Sequence, residues 1–279
     1  MEQNFPTIEV FKRSAVMPLK YIGSLLVTLG VLVLGVMAMM LVAVILSLIT
    51  SVDMAPVLEF LQQSQAGNVS EIPNMSGLGV FLLVMLAGFY VISVFAAHVF
   101  NFWVNLAAYG RDAARWSLGE GRLSAALVNG LKFMLIGVLV GVVQLVTVLV
   151  LVRLGLVPGF AEQAAITSYS EAILSGLTGS IFSVVITSGI YSLFSANLTQ
   201  TALQSDAEGM DHPHTVDFAI VLVLLYAIYT IPTILAALSG SDVLTWTASI
   251  VLGLYLVFTI PVAHGLRYRV CVASPGDEG

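Results

Sequence analysis

Long apolar stretches alternate with short polar segments along this chain. Each stretch reaches the length of about 20 residues that a helix needs to cross the hydrocarbon core of a bilayer. None shows the alternation of apolar and polar positions typical of a transmembrane β-barrel strand. Because backbone groups in lipid must hydrogen-bond within their own segment, such stretches form helices. The pattern therefore predicts an all-α integral membrane protein with about six transmembrane helices, at residues 21–49, 78–101, 133–152, 173–196, 218–238 and 243–264.

The composition leads to the same class of protein. Hydrophobic residues make up 58% of the 279 residues and charged residues 9%, whereas soluble domains have about 45–50% and about 25%. This excludes a disordered chain and an ordinary cytosolic enzyme. The 10 Lys and Arg residues are also too few to neutralise the phosphates of a nucleic acid, so no nucleic-acid partner is expected.

The chain divides into three regions. Residues 1–20 are predicted to form a cytoplasmic amphipathic segment, residues 21–266 a polytopic membrane domain and residues 267–279 a cytoplasmic tail. The first apolar stretch continues uncharged to Val52. It is longer than the roughly 7–15 apolar residues of a secretory signal, so it is interpreted as a retained first transmembrane helix.

The basic residues predict the orientation of the chain in the membrane. Lys and Arg are enriched in cytoplasmic loops, and six spans place all of them except Arg153 on one side. Both termini are therefore expected in the cytoplasm, and the protein in a cell inner membrane. This orientation depends on the span at 173–196, which is the least apolar, because without it the last two helices would invert.

The six spans form three pairs that resemble one another. Residues 19–22 (Leu-Lys-Tyr-Ile) open the first pair and residues 131–134 (Leu-Lys-Phe-Met) open the second. Each is preceded by a segment with helical periodicity, at 8–19 and at 122–131, of the kind that lies along a membrane surface. Residues 215–218 are a poorer third copy. These similarities predict three related hairpins, each preceded by a short interfacial helix, with chance similarity as the alternative.

Ionisable residues inside a membrane are the usual markers of transport or catalysis, and they are scarce here. No Asp, Glu, Lys or Arg lies at the centre of a predicted span. The sequence also contains no zinc-protease, nucleotide-binding or nucleophile-elbow motif. We therefore expect no catalytic site and no cofactor.

Several polar residues nevertheless enter the spans. Gln144 lies in the middle of the third span, where an interhelical hydrogen bond is the simplest interpretation. His98, Asn101 and Asn105 share one helix face at the cytoplasmic end of the second span, and His264 lies at the equivalent end of the sixth. These five residues are a candidate polar vestibule, and the alternative for the histidines is that they extend to the membrane interface.

The loop before the fifth span contains side chains of the types that bind divalent transition metals. Their spacing matches no standard zinc pattern, so no metal site is predicted, and the simpler interpretation is a solvated turn. The candidate ligands are Asp211, His212, His214 and Asp217.

Small residues recur at helical spacing on the third and fourth spans, where they would let two backbones approach closely. We expect these two faces to pack on each other, with a homo-oligomer interface as the alternative. They comprise Gly137 and Gly141 on the third span and Ser175, Gly179, Ser183 and Thr187 on the fourth.

These observations favour a non-enzymatic multi-pass membrane protein that acts through partners, lipids or self-association. Its expected partners are the bilayer and either a second copy or another membrane protein. The alternative is a transporter or permease component for a neutral or apolar solute, in which Gln144 and the small-residue fourth span would line the path. A lipid-modifying enzyme using the loop around His212 is the least favoured.

Overall fold

The computed structural model describes residues 5–50, 78–116, 119, 121–156, 169–204 and 214–272, with the backbone alone at 169–176 and at 272. Over these residues the chain forms seven α-helices and no strand, which confirms the predicted all-α class. The helices are α1 (Thr7–Lys20), α2 (Ile22–Thr50), α3 (Leu78–Tyr109), α4 (Arg122–Arg153), α5 (Tyr169–Leu203), α6 (Thr215–Leu238) and α7 (Asp242–Val272).

Six of these helices, α2 to α7, are long and apolar enough to cross a membrane. The chain is thus a multi-pass membrane protein. Several helices run past the predicted spans, and they do so at the same end of the bundle. Helix α4 begins at Arg122 rather than at 133, and α5 ends at Leu203 rather than at 196. The hydropathy pattern missed these extensions because the added turns are more polar than the spans.

Helix α1 is a separate helix that ends where proline and Tyr21 interrupt the chain. Pro18 lies in its last turn, and the Tyr21 N–H bonds back to the Pro18 carbonyl. One face, with Val10 and Ser14, is buried against α6 and α7, while Lys12 is exposed. Helix α1 therefore packs on the bundle through one face, while its Ile8, Val16 and Leu19 are exposed.

The second hairpin corrects the expectation of a short separate helix before each pair. Residues 122–131 are the first turns of the continuous helix α4. No proline interrupts this segment, and Gly130 fits directly against the backbone of Val94 on α3, so the helix continues straight into its apolar part. In the third hairpin α6 begins at Thr215, and residues 205–213 before it lie outside the described part of the chain.

Five helices form a ring. Each helix from α3 to α7 contacts the next, and α7 returns to contact α3. Helix α2 lies outside the ring against α3, where the indole N–H of Trp103 donates to the Thr28 hydroxyl over 3.0 Å. Most large apolar side chains of α2 are exposed, as expected of a helix surrounded by lipid.

The core lies toward one end of the ring, which we name the closed end. It carries the C-termini of α3, α5 and α7 and the N-termini of α4 and α6. The largest fully buried side chains belong to this half of the bundle, among them Trp103, Leu198, Phe218 and Val262. Gly265 of α7 allows the closest approach, because a Cβ there would lie 2.5 Å from the carbonyl oxygen of Val104. The bundle is therefore most tightly packed at the end that holds most of its polar side chains.

Candidate functional site

The structure brings together three of the five candidate vestibule residues. The Asn105 amide donates to the carbonyl oxygens of Asn101 and of Ala202 on α5, both over 2.8 Å. His98 meets the edge of Trp116. These side chains line a pocket of about 20 Å³, which has room for about one water molecule. The predicted vestibule is thus a water-sized pocket at the closed end, and neither Gln144 nor His264 lines it.

Asn129 of α4 joins this cluster, although sequence reasoning missed it. Its amide donates to the Asn101 side-chain oxygen over 2.8 Å and to the Leu198 carbonyl over 3.1 Å. Asn129 is fully buried. The missed sequence signal was a polar residue one turn before Phe133, in a segment interpreted as an interfacial helix outside the spans. Asn129 thus links α4 to α3 and α5.

His264 is a core residue and does not extend to the interface, which corrects that alternative. It is fully buried, and its Nδ1 lies 2.8 Å from the Ser195 hydroxyl of α5. Its ring meets the rings of Phe100 and Phe218 at 5.3 and 5.0 Å. His264 therefore connects α7 with α3, α5 and α6.

Arg267 lies one turn further along the same face of α7. The sequence placed it in a cytoplasmic tail after the last span, but α7 continues to Val272 and the Arg267 side chain is fully buried. Its guanidinium donates to the Ser192 carbonyl over 3.0 Å and to the Thr215 hydroxyl over 3.3 Å. It also lies 4.7 Å from the centre of the Phe218 ring. One side chain thus ties α7 to both α5 and α6 and seals the closed end between them.

Gln144 makes the interhelical hydrogen bond that the sequence predicted. Its amide nitrogen donates to the Ser183 hydroxyl over 2.8 Å and to the Thr187 hydroxyl over 3.1 Å. Both acceptors are on α5, so Gln144 fixes the rotation of that helix. The same two residues also line a cavity.

This cavity is a cleft of about 540 Å³ between α5 and α6, and among the described residues the buried Leu256 of α7 is its only lining residue from a third helix. We name it the α5–α6 cleft. No charged side chain lines it among the described residues. Hydroxyl groups come from both walls. The α5 wall consists of Gly179, Ser180, Ser183, Val184 and Thr187, and the α6 wall of Tyr226, Tyr229, Thr230, Thr233 and Ile234.

No family model, curated protein or solved structure matches this chain. The α5–α6 cleft and the polar clusters of the closed end are therefore the observations from which a function has to be inferred.

The cleft changes the interpretation of the small residues. Gly179, Ser183 and Thr187 form one of its walls. A Cβ on Gly137 would lie 3.9 Å from Phe89 of α3, and a Cβ on Gly141 or Gly179 would meet nothing within 4 Å. The glycines of α4 therefore do not pack against Gly179, which corrects that expectation. The side chain of Ser175 lies outside the described residues. The α6 wall was missed, although its polar residues at 226, 229, 230 and 233 follow helical spacing.

The candidate metal ligands fall partly outside the described chain. Asp211 and His212 are not described. His214 Nδ1 lies 3.3 Å from an Asp217 carboxylate oxygen, and its ring stacks on Phe5. In the part of the chain that the structure covers, no group of three His, Cys, Asp or Glu side chains is arranged to hold a metal ion. His214 and Asp217 instead form the first turn of α6 and hold the N-terminal segment against it.

Proposed function

We propose that this protein is a non-enzymatic multi-pass protein of a cell inner membrane that binds a neutral molecule in the α5–α6 cleft. The observation that carries the proposal is the pairing of two hydroxyl-bearing helix faces across a cavity in the membrane-spanning part of the bundle. Its volume of about 540 Å³ falls within the range of roughly 300–1,000 Å³ for small-molecule sites.

The energetics of hydroxyl groups in lipid favour an occupied cleft. A hydroxyl without a hydrogen-bond partner in an apolar medium costs about 1–3 kcal/mol. Some cleft hydroxyls already have a hydrogen-bond partner in their own helix: the Thr233 hydroxyl donates to the Tyr229 carbonyl over 2.8 Å. Ser183 and Thr187 accept from Gln144, so each keeps its own hydroxyl proton to donate. A ligand carbonyl, ether or hydroxyl oxygen would accept these protons.

The lining also defines the charge of the ligand. A charged group buried in this cleft would lose its hydration without gaining a counter-charge, which is costly in a membrane. The absence of charged side chains from the described lining therefore favours a neutral molecule.

A transport role for the same neutral ligand is the second candidate. Pro232 lies in α6 between the wall residues Thr230 and Thr233, and Pro261 lies in α7. A proline inside a helix removes one backbone hydrogen bond and kinks or loosens the helix there. A wall that bends at Pro232 would allow the cleft to open and close, as a permease component requires.

Filling the cleft tests its occupancy. We expect Val184→Trp, which adds bulk inside the cleft, to reduce the amount of a co-purifying neutral molecule by about tenfold, equivalent to 1.4 kcal/mol. The measurement is native mass spectrometry of detergent-extracted protein, with solvent extraction to identify the bound molecule. The matched control is Val142→Trp, which adds the same bulk on the exposed face of α4, away from the cleft. Equal amounts of bound molecule in both variants would contradict the proposal.

The proposed orientation has both termini in the cytoplasm. It is supported by the basic residues, of which all except Arg153 precede α2, lie between α3 and the apolar part of α4, or lie near the end of α7. A cytoplasm-active reporter fused after Gln204 is expected to be active, and the same reporter fused after Gln65 is expected to be silent. Activity from the Gln65 fusion would show that the orientation is inverted.

A further inference from the structure

We infer that the ligand of the α5–α6 cleft is an uncharged amphiphile of the bilayer, with a small hydroxyl- or ester-bearing head and an apolar chain, as in a monoacylglycerol. The inference rests on the proposed function and specifies the ligand and its route. The ligand enters sideways from the lipid between α5 and α6, with its head on the hydroxyl groups and its chain in the hydrocarbon.

The mouth of the cleft faces the region that lipid occupies. Its wall residues on both helices are half-exposed. The residues beside the walls are large, apolar and exposed: Ile181 and Val185 on α5, and Ile231 and Leu235 on α6. Exposed apolar side chains on a spanning helix contact lipid chains, so a molecule dissolved in the bilayer reaches the cleft directly.

At the closed end, close contacts between α5 and α6 block entry to the cleft along the axis of the bundle. There the Ser192 hydroxyl donates to the Thr215 carbonyl, which joins α5 to α6 directly. Arg267 bridges the same two helices. Phe218 and Leu222 are fully buried beneath this contact. Among the described residues, these contacts fill the space between α5 and α6 at the closed end, so they favour entry from the lipid over entry from that end.

The lining combines apolar surface with hydroxyl groups, as a site for an amphiphile requires. Val184, Ile234 and Leu256 provide apolar surface on both walls and at the base. Hydroxyl groups of Ser183, Thr187 and Thr230 lie among them. Along α5 the cleft extends from Gly179 to Thr187, about 12 Å at 1.5 Å per residue. This length accommodates a small head and the first part of a chain, and the rest of the chain extends into the bilayer.

The test is photo-crosslinking of the full protein in phosphatidylcholine vesicles. The probe is a diazirine-bearing monoacylglycerol, compared with a lysophosphatidic acid carrying the same chain and with a diazirine-bearing glycerol ether that has no chain. We expect the monoacylglycerol to label α5 or α6 and unlabelled monoacylglycerol to compete. Val184→Trp should reduce this labelling about tenfold, whereas Val142→Trp on the exposed face of α4 should leave it unchanged.

A second, near-isosteric variant tests the inference even if the tryptophan variant misfolds. Thr187→Val with Thr230→Val removes two cleft hydroxyls and keeps the side-chain shape, and should reduce labelling about fivefold or more, the effect of roughly one hydrogen bond. The control is Thr147→Val on α4, whose hydroxyl donates to the Val143 carbonyl of its own helix. It should label like the wild type.

The outcomes separate this inference from the function on which it rests. Labelling by the chainless probe alone would overturn the amphiphile and leave a neutral-solute site. Equal labelling by the charged probe would overturn the requirement for a neutral head. If no probe labels the cleft and Val184→Trp instead changes the oligomeric state, a second copy of the chain fills the cleft and both proposals fail.

Discussion

Gly265→Ala is expected to destabilise the protein by about 3 kcal/mol or more, the upper part of the range for overpacking a tight contact. The added methyl would lie 2.5 Å from the Val104 carbonyl oxygen and 2.7 Å from the Ala107 Cβ. Both are backbone or backbone-attached atoms of α3, so no side chain can rotate away. Helices α3 and α7 would have to separate along their contact at the closed end. The measurement is the midpoint of thermal unfolding in a mild detergent.

The effect of alanine at other glycines provides the control. In a helix, alanine is favoured over glycine by about 1 kcal/mol, so a glycine with space around it gains stability on substitution. Gly141 has nothing within 4 Å of the added Cβ, and Gly141→Ala should leave the midpoint unchanged or raise it. Gly130→Ala, with a Cβ 2.9 Å from the Val94 Cα, should behave like Gly265→Ala. A Gly265→Ala protein as stable as the Gly141→Ala protein would refute the close approach of α3 and α7.

Arg267→Lys is expected to cost at least as much stability as Arg267→Ala, about 3 kcal/mol. The guanidinium reaches the Ser192 carbonyl and the Thr215 hydroxyl with two different nitrogens. A single ammonium cannot reach both acceptors, and it remains a fully buried charge. Arg267→Met should cost least of the three, because it fills the volume and removes the charge.

The neighbouring Arg269 is the matched control. It is on the same helix but exposed, so Arg269→Ala should shift the unfolding midpoint little. Near-wild-type stability of the Arg267→Lys protein would show that its charge matters and its bridging geometry does not. Loss of bound ligand in Arg267→Met, with stability retained, would connect the seal at the closed end to the cleft.

The sequence predicted a polar contact where a polar side chain lies in an otherwise apolar span and therefore needs a hydrogen-bond partner. Gln144 in the middle of an apolar span had to find an interhelical partner, and it does. Gly137 and Gly141 were singled out by their spacing, yet the tight contacts among the described glycines are at Gly35, Gly130 and Gly265. Whether a glycine mediates a close approach depends on the residue that faces it from another helix. That residue is far away in sequence and leaves no mark in the local pattern.

Arg267 was misassigned for a related reason. A basic residue after an apolar stretch is typical of a membrane boundary, and the hydropathy pattern ends there. The helix continues because three neighbouring helices, α3, α5 and α6, also extend at the closed end and surround its last turns. The burial of Arg267 is a property of the assembled bundle.

The sequence by itself determined the membrane class and the six spanning helices. Transfer of a segment into lipid and backbone hydrogen bonding within it are decided over about 20 consecutive residues. Only the tertiary structure decided which polar residues meet. The rotation and tilt of the helices bring Asn129 to Asn101, place Arg267 between α5 and α6, and hold the hydroxyl faces of those two helices apart as a cleft. Those orientations follow from packing across the whole ring, because in lipid no hydrophobic drive sets them.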